Sequence, residues 1–309
     1  MLYPEHRITQ QLKEKETHMT TTGTWLPEDA SAVACLTFDV DAETGILSAN
    51  AKAADHAMAI SHQQFGPEIG VPRILDILAN LDVHATFFFP GWVAERRPAL
   101  VEKIAAAGHE IGHHSYSHVP ASSMTREQEE RDFTRALKVF EDIGVPIYGH
   151  RAGLWEASWS TPAIVAEHGL TYDSSLMTQD SPYRITTEAG SITELPPHWS
   201  LDDWEQYAFL PFPEIGQHIK NPSDVLQMWT AEVDAMRRFG GLFMLTNHPF
   251  LSGRPARAVA LEALIGHILD TGDVPILTGY ELATHLAEVA LPERAHEKPC
   301  IEDGLFPTP

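Results

Sequence analysis

The chain has 309 residues, 43% hydrophobic and 21% charged, enough apolar content for one large α/β domain or two ordinary ones. Its 43 Asp and Glu against 21 Lys and Arg give a formal charge of −22; such a surface repels phosphate backbones and anionic headgroups, so neither nucleic acid nor a membrane is expected as partner. No apolar run approaches the ~18 residues of a membrane span, and the first 30 residues lack the apolar stretch of an export signal, so a cytoplasmic protein is expected.

Residues 1–30 are polar and read as a flexible extension, 31–288 as one domain, and 289–309 as a tail. Ala34 to Asp39 is an apolar strand ending in carboxylates. Val71 to Leu81 carries Ile74, Leu75, Ile77 and Leu78 at helical spacing. The β-branched and aromatic Val83 to Phe89 is a second strand. A helix from Pro98 stops at Gly108, and His109 to His114 is the third strand. Thr125 with Gln128 three residues on is a capping-box pattern, opening a helix that ends at Gly144.

Further strands are predicted over Pro146–Arg151, Leu170–Leu176, Gly241–Asn247 and Val274–Thr278, with helices over Thr161–His168, Ser223–Phe239 and Arg257–Thr271. This alternation predicts seven or eight parallel strands with helices outside, as a barrel or an open sheet. No G-x-G-x-x-G follows the first strand, which argues against a dinucleotide site. Met177 to Lys220, rich in Pro, acids and aromatics, reads as an excursion over one face. Its Trp199, Trp204, Tyr207, Phe209 and Phe212 suit either a cover over the barrel mouth or a subunit contact, and a homo-oligomer is expected. The two cysteines, Cys35 and Cys300, predict no disulfide and no cysteine metal site.

Parallel β/α folds place their chemistry at the C-terminal ends of strands. Five predicted strand ends carry polar groups: Asp39-Val40-Asp41, His114 to His118, His150-Arg151, Asp173-Ser174-Ser175 and Asn247-His248. Two neighbouring carboxylates repel unless a cation or a proton lies between them. Alone, such a pair also serves as a helix cap. His114 and His118 have H-x-x-x-H spacing, which on a helical turn puts both imidazoles on one side. Two imidazoles and one carboxylate leave positions open on a divalent metal, as in catalytic sites. Arg151 offers a planar fork for a buried carboxylate, and His248 a proton for a leaving nitrogen. Each of these residues, taken singly, also fits a surface or core role.

Together the motifs resemble the polysaccharide deacetylase family, of NodB homology and carbohydrate esterase family 4. Thr37-Phe38-Asp39-Val40-Asp41 resembles its first motif, His114-Ser115-Tyr116-Ser117-His118 its second, Arg151-Ala152-Gly153 its third, Asp173-Ser174-Ser175 its fourth and Leu245 to His248 its fifth. The resemblance implies a deformed (β/α) barrel in which Asp41, His114 and His118 hold a divalent metal, zinc above all. It also implies Asp39 as general base, Arg151 as its holder and His248 as general acid. Motif one reads D-V-D instead of D-D, and Gly153 stands where Pro is usual.

The run from His248 to Pro255 and the segment Trp199 to Trp204 look like an intracellular branch. That branch includes Helicobacter-type peptidoglycan deacetylase, allantoinase-like enzymes and cyclic imide hydrolases. The expected activity is therefore hydrolysis of a non-peptide C–N bond, first in a small cyclic amide or imide, alternatively in an N-acetylated sugar or peptidoglycan. A two-histidine iron oxygenase fits poorly with β/α alternation, and a non-catalytic binding module fits poorly with a full set of acid, base and ligand types.

Overall fold

The computed structural model describes residues 25–216, 218–302, 305 and 307, so the expected N-terminal extension lies outside the described residues up to position 24. The described residues form eleven strands: β1 (Val33–Asp39), β2 (Thr86–Phe89), β3 (Glu110–His113), β4 (Gly149–His150), β5 (Tyr172–Asp173), β6 (Tyr183–Thr187), β7 (Gly190–Glu194), β8 (Leu210–Pro211), β9 (Glu214–Ile215), β10 (Leu242–Asn247) and β11 (Glu293–Ala295). The large sheet runs β10-β1-β2-β3-β4-β5-β7-β6-β11, and β8 and β9 pair separately. Its first seven members are all parallel. Their C-terminal ends therefore meet at one rim.

Strand β1 shows why the site lies where it does. Side chains alternate across a strand. Ala34, Leu36 and Phe38 pack into the core under the helices, with Phe87 and Phe243 from neighbouring strands and Ile74, Val101, Phe140 and Leu264 from the helices. Val33 and Cys35 pack on the opposite side with Phe88, Leu242 and Met244. On that second face the sequence reads Val33, Cys35, Thr37, Asp39, so polarity rises toward the strand end. Both faces are covered, as a parallel sheet requires. Cys35 and Cys300 are both free.

The helices Val71–Asn80, Pro98–Ala106, Arg126–Ile143, Thr161–Glu167, Pro222–Phe239 and Pro255–Thr271 flank the sheet. None of the described helices is long and apolar enough to cross a membrane. The seventh parallel strand differs from the sequence expectation. Val274–Thr278 forms only a bridge from Ile276 to Ala34. It fills the start of β1, where β2 has not yet begun to pair, and Pro275 has no N–H to extend the ladder. The seventh place goes to β7, inside the expected excursion, where Tyr183–Thr187 and Gly190–Glu194 form an antiparallel hairpin. Its β-branched residues carry the strand signal, masked in the sequence by flanking prolines and acids.

The packed body also reaches beyond residues 31–288. Trp25 is buried against the Val33–Met244 cluster, and β11 pairs with β6.

The capping box expected at Thr125 is present. Thr125 N donates to Gln128 Oε1 at 2.8 Å, and the Thr125 hydroxyl oxygen accepts from Gln128 N. Gly144, at φ 85°, ends the same helix in the left-handed region. Thr125→Ala should lower unfolding free energy by about 1 kcal/mol; urea denaturation followed by circular dichroism measures it, and no change would mean that water caps this helix equally well.

Candidate metal and acid–base site

At the rim, β1 ends at Asp39 and the chain turns through Asp41, while β3 ends just before His114. Asp39, Asp41, His114, His118 and His248 all line one cavity of about 270 Å³. All five side chains are buried. His114 and His118 lie in an irregular loop, not on the helical turn inferred from their spacing. Ser115 and His118 have positive φ, 57° and 61°, and this reversal brings the two imidazoles together. Gly153 makes room for it: a Cβ there would stand 2.9 Å from the His118 carbonyl oxygen. That contact explains a glycine at this position.

Asp41 is the hub. His114 Nε2 lies 3.4 Å from Asp41 Oδ1, and His118 Nε2 and His248 Nε2 lie 3.4 and 3.5 Å from Asp41 Oδ2. Oδ1 has no hydrogen-bond partner among the described residues. The ligand atoms of Asp41, His114 and His118 fall within 4.8 Å of one another. Donors about 2.1 Å from a tetrahedral ion stand roughly 3.4 Å apart. The spacing, the orphaned oxygen and the donor types therefore fit a divalent metal.

Protonation follows the same logic. Burial drives His118 down to about 4 despite the opposing pull of Asp41, leaving it neutral as a ligand must be. Burial also disfavours the charged forms of Asp41 and His114, but each is outweighed. The His118, His114 and His248 imidazoles hold Asp41 well below the usual carboxylate range, and Asp39 and Asp41 pull His114 up. His114 Nδ1–H donates to the Arg151 carbonyl at 2.6 Å, which turns Nε2 toward Asp41.

Arg151 is fully buried. It donates through Nη1 to Asp39 Oδ1 and to Thr37 Oγ1, both at 2.8 Å, and through Nη2 and Nε to Ser174 Oγ and O at 3.0 and 3.2 Å. Its guanidinium also lies over the Phe88 ring, 4.3 Å from the centroid. Asp173-Ser174-Ser175 therefore supports Arg151 instead of facing the cavity. Asp173 Oδ1 lies 2.6 Å from His150 Nδ1, and Ser175 Oγ accepts from Ala152 N at 3.0 Å.

Sequence reasoning missed Asp203. His248 Nδ1–H donates to Asp203 Oδ1 at 2.7 Å, and the His248 backbone N–H donates to the same oxygen at 2.9 Å. Ser252 holds the other oxygen through its N–H at 3.2 Å and its hydroxyl. Burial alone would lower His248; the carboxylates of Asp202 and Asp203, with Asp41, hold it well above its ordinary value. The signal was the consecutive acids Asp202-Asp203 in the segment Trp199–Trp204. Asp202 bridges to Thr246, and Asp203 N donates to Thr246 O at 3.1 Å, so the segment lies beside β10 and its His248.

Trp155, Trp199, Trp204 and Leu154 wall the cavity, with Glu156, Asp202 and Glu205 between them. Of the five aromatics expected to cover the mouth, only Trp199 and Trp204 line it. Tyr207 packs in the core, Phe209 is exposed and Phe212 stacks on His56.

A family model described as polysaccharide deacetylase matches residues 56–173. A peptidoglycan deacetylase from Helicobacter pylori is 31% identical over 272 residues, which cover 79% of this chain and 92% of that protein. A Mycobacterium smegmatis crystal structure assigned as a polysaccharide deacetylase superposes with a TM-score of 0.87 at 42% identity, covering 89% of this chain and 97% of that one. The PuuE allantoinase structure shares the fold, with a TM-score of 0.76 at 21% identity and coverage of 87% and 94%. By near full-length likeness to the Helicobacter pylori protein, the chain belongs to the polysaccharide deacetylase family, whose members hydrolyse C–N amide bonds.

Proposed function

We propose that this chain removes the acetyl group from an N-acetylated amino sugar, using a divalent metal, Asp39 as general base and His248 as general acid. The likeness to the Helicobacter pylori peptidoglycan deacetylase over 92% of its length carries the substrate class. Asp41, His114 and His118 would hold the metal. Zinc is the ion proposed, since two imidazoles and a carboxylate suit its borderline softness. When bound, the metal supplies positive charge that polarises the amide carbonyl and eases ionisation of water.

The remaining work falls to the protein. Asp39 is fixed by Arg151 through one oxygen, leaving Oδ2 on the His114 side, 3.7 Å from Nε2, to take a proton from the attacking water. His248 keeps its proton because Asp203 faces Nδ1, and Nε2 can protonate the departing nitrogen. The C–N bond breaks as that proton arrives, giving acetate and the free amine.

A small cyclic amide or imide, ranked first from sequence, becomes the second reading. The cavity favours it: about 270 Å³ walled by three tryptophans suits a compact ring. Ring opening needs the same base and acid. The two are separated by kcat/KM on an N-acetylglucosamine oligomer and on five- and six-membered imides. Acetate release from the oligomer is expected to dominate; ring opening without acetate release would reverse the order.

His114→Ala and His118→Ala should each lose bound metal together with turnover, read by metal analysis of purified protein. Asp39→Asn should retain metal and lose kcat by ~10²-fold or more. An emptied site in Asp39→Asn would make Asp39 a ligand and exchange the proposed roles of the two aspartates.

A proton donor fails once pH exceeds its pKa, so the raised His248 sets the alkaline limb of the rate profile. Asp203→Asn removes a carboxylate that favours the imidazolium. The alkaline limb should move to lower pH and kcat should fall, whereas an unshifted limb would assign that limb to another group.

A further inference from the structure

We propose that the cavity selects by charge, admitting neutral and cationic N-acyl compounds and rejecting anionic ones through Glu156 and Glu205. The inference rests on this cavity being where substrate binds, as proposed above. That location has support of its own in the buried, unpartnered Asp41 Oδ1 and the imidazoles around it.

Among the described residues, the cavity lining contains five carboxylates and three imidazoles, and no lysine or arginine. The inner carboxylates are offset. Asp39 is bonded to Arg151 at 2.8 Å, and Asp41 faces three imidazoles. The outer pair makes no salt bridge among the described residues, although His248 and Lys220 act on Glu205 at longer range. Glu156 and Glu205 are exposed, and Glu156 accepts a hydrogen bond from a neutral partner, the Ser122 hydroxyl at 2.9 Å. Both stand among the indole walls of Trp155, Trp199 and Trp204. Low-dielectric walls focus the field of nearby charges into the opening, and the formal charge of −22 adds the same sign at longer range.

The proposed cations, the His248 imidazolium and a metal ion, lie beside the buried Asp41, so a carboxylate held at the mouth meets the field of Glu156 and Glu205 first, whereas an ammonium there is drawn in. Within glycans, that favours glucosamine units, including ones next to an already freed amine, over units bearing an acidic ether. The substrate class narrows accordingly to uncharged or partly deacetylated amino sugars.

The test is calorimetric binding to the metal-loaded full chain of glucosamine, N-acetylglucosamine and N-acetylmuramic acid at low and high salt. At low salt the cation should bind about tenfold or more tighter than the anion, and the gap should narrow as salt rises. Glu156→Gln combined with Glu205→Gln should shrink the gap by about threefold or more; each single change serves if the double variant fails to fold. Equal or tighter binding of the anion, or a gap unmoved by the variants, would overturn the proposal. If no sugar is hydrolysed, the deacetylase proposal fails and the binding order still decides charge selection. Equal acetate release from neutral and anionic sugars, with no binding gap, removes charge selection and leaves the hydrolase intact.

Discussion

Arg151 carries a permanent charge into the interior with no exposed surface. Desolvating a guanidinium is costly, and removing one partner of such a buried pair costs about 3–5 kcal/mol. The protein therefore surrounds it with acceptors from β1 (Thr37 and Asp39) and from Ser174 just after β5, and with the face of Phe88 from β2. One cation thus ties three strands at the rim. Its own carbonyl accepts from His114 Nδ1, so the residue that fixes the proposed base also orients a proposed metal ligand.

That coupling explains which parts of the site the sequence made legible. Asp39, Asp41, His114, His118, Arg151 and His248 fall at strand ends, and a period of two or a run of apolar residues places a strand end to within a residue or so. The loop from His114 to His118 did not follow from spacing. Helical spacing brings two histidines together, but here positive φ at Ser115 and His118 does so. Only the close approach of Gly153 hints at that backbone.

Asp203 was harder for a different reason. It lies 45 residues before His248, in a segment whose prolines and acids read as irregular, and pairing is visible only when the segment is laid beside β10. The hairpin β6–β7 was obscured likewise. Local propensity was present in its threonines and isoleucines, but nothing local says that β7 pairs with β5. Long-range partners of short strands are tertiary facts.

The stretch from Trp199 to Glu205 does two things at once. Its Asp203 fixes the imidazole of His248, and its Trp199, Asp202, Trp204 and Glu205 form much of the cavity wall. Trp204 also sits 5.2 Å from the His248 ring. The segment is anchored at Thr246 and by Trp229 Nε1, which donates to the Ser200 carbonyl at 2.8 Å. Pocket shape and the proposed proton donor are therefore one mechanical unit. An insertion or deletion here cannot reshape the wall without also moving the carboxylate behind the proposed acid. Trp199 and Glu205 line the cavity from exposed positions on either side of the buried pair Asp202-Asp203, so their side chains can change with the least disturbance to that pair.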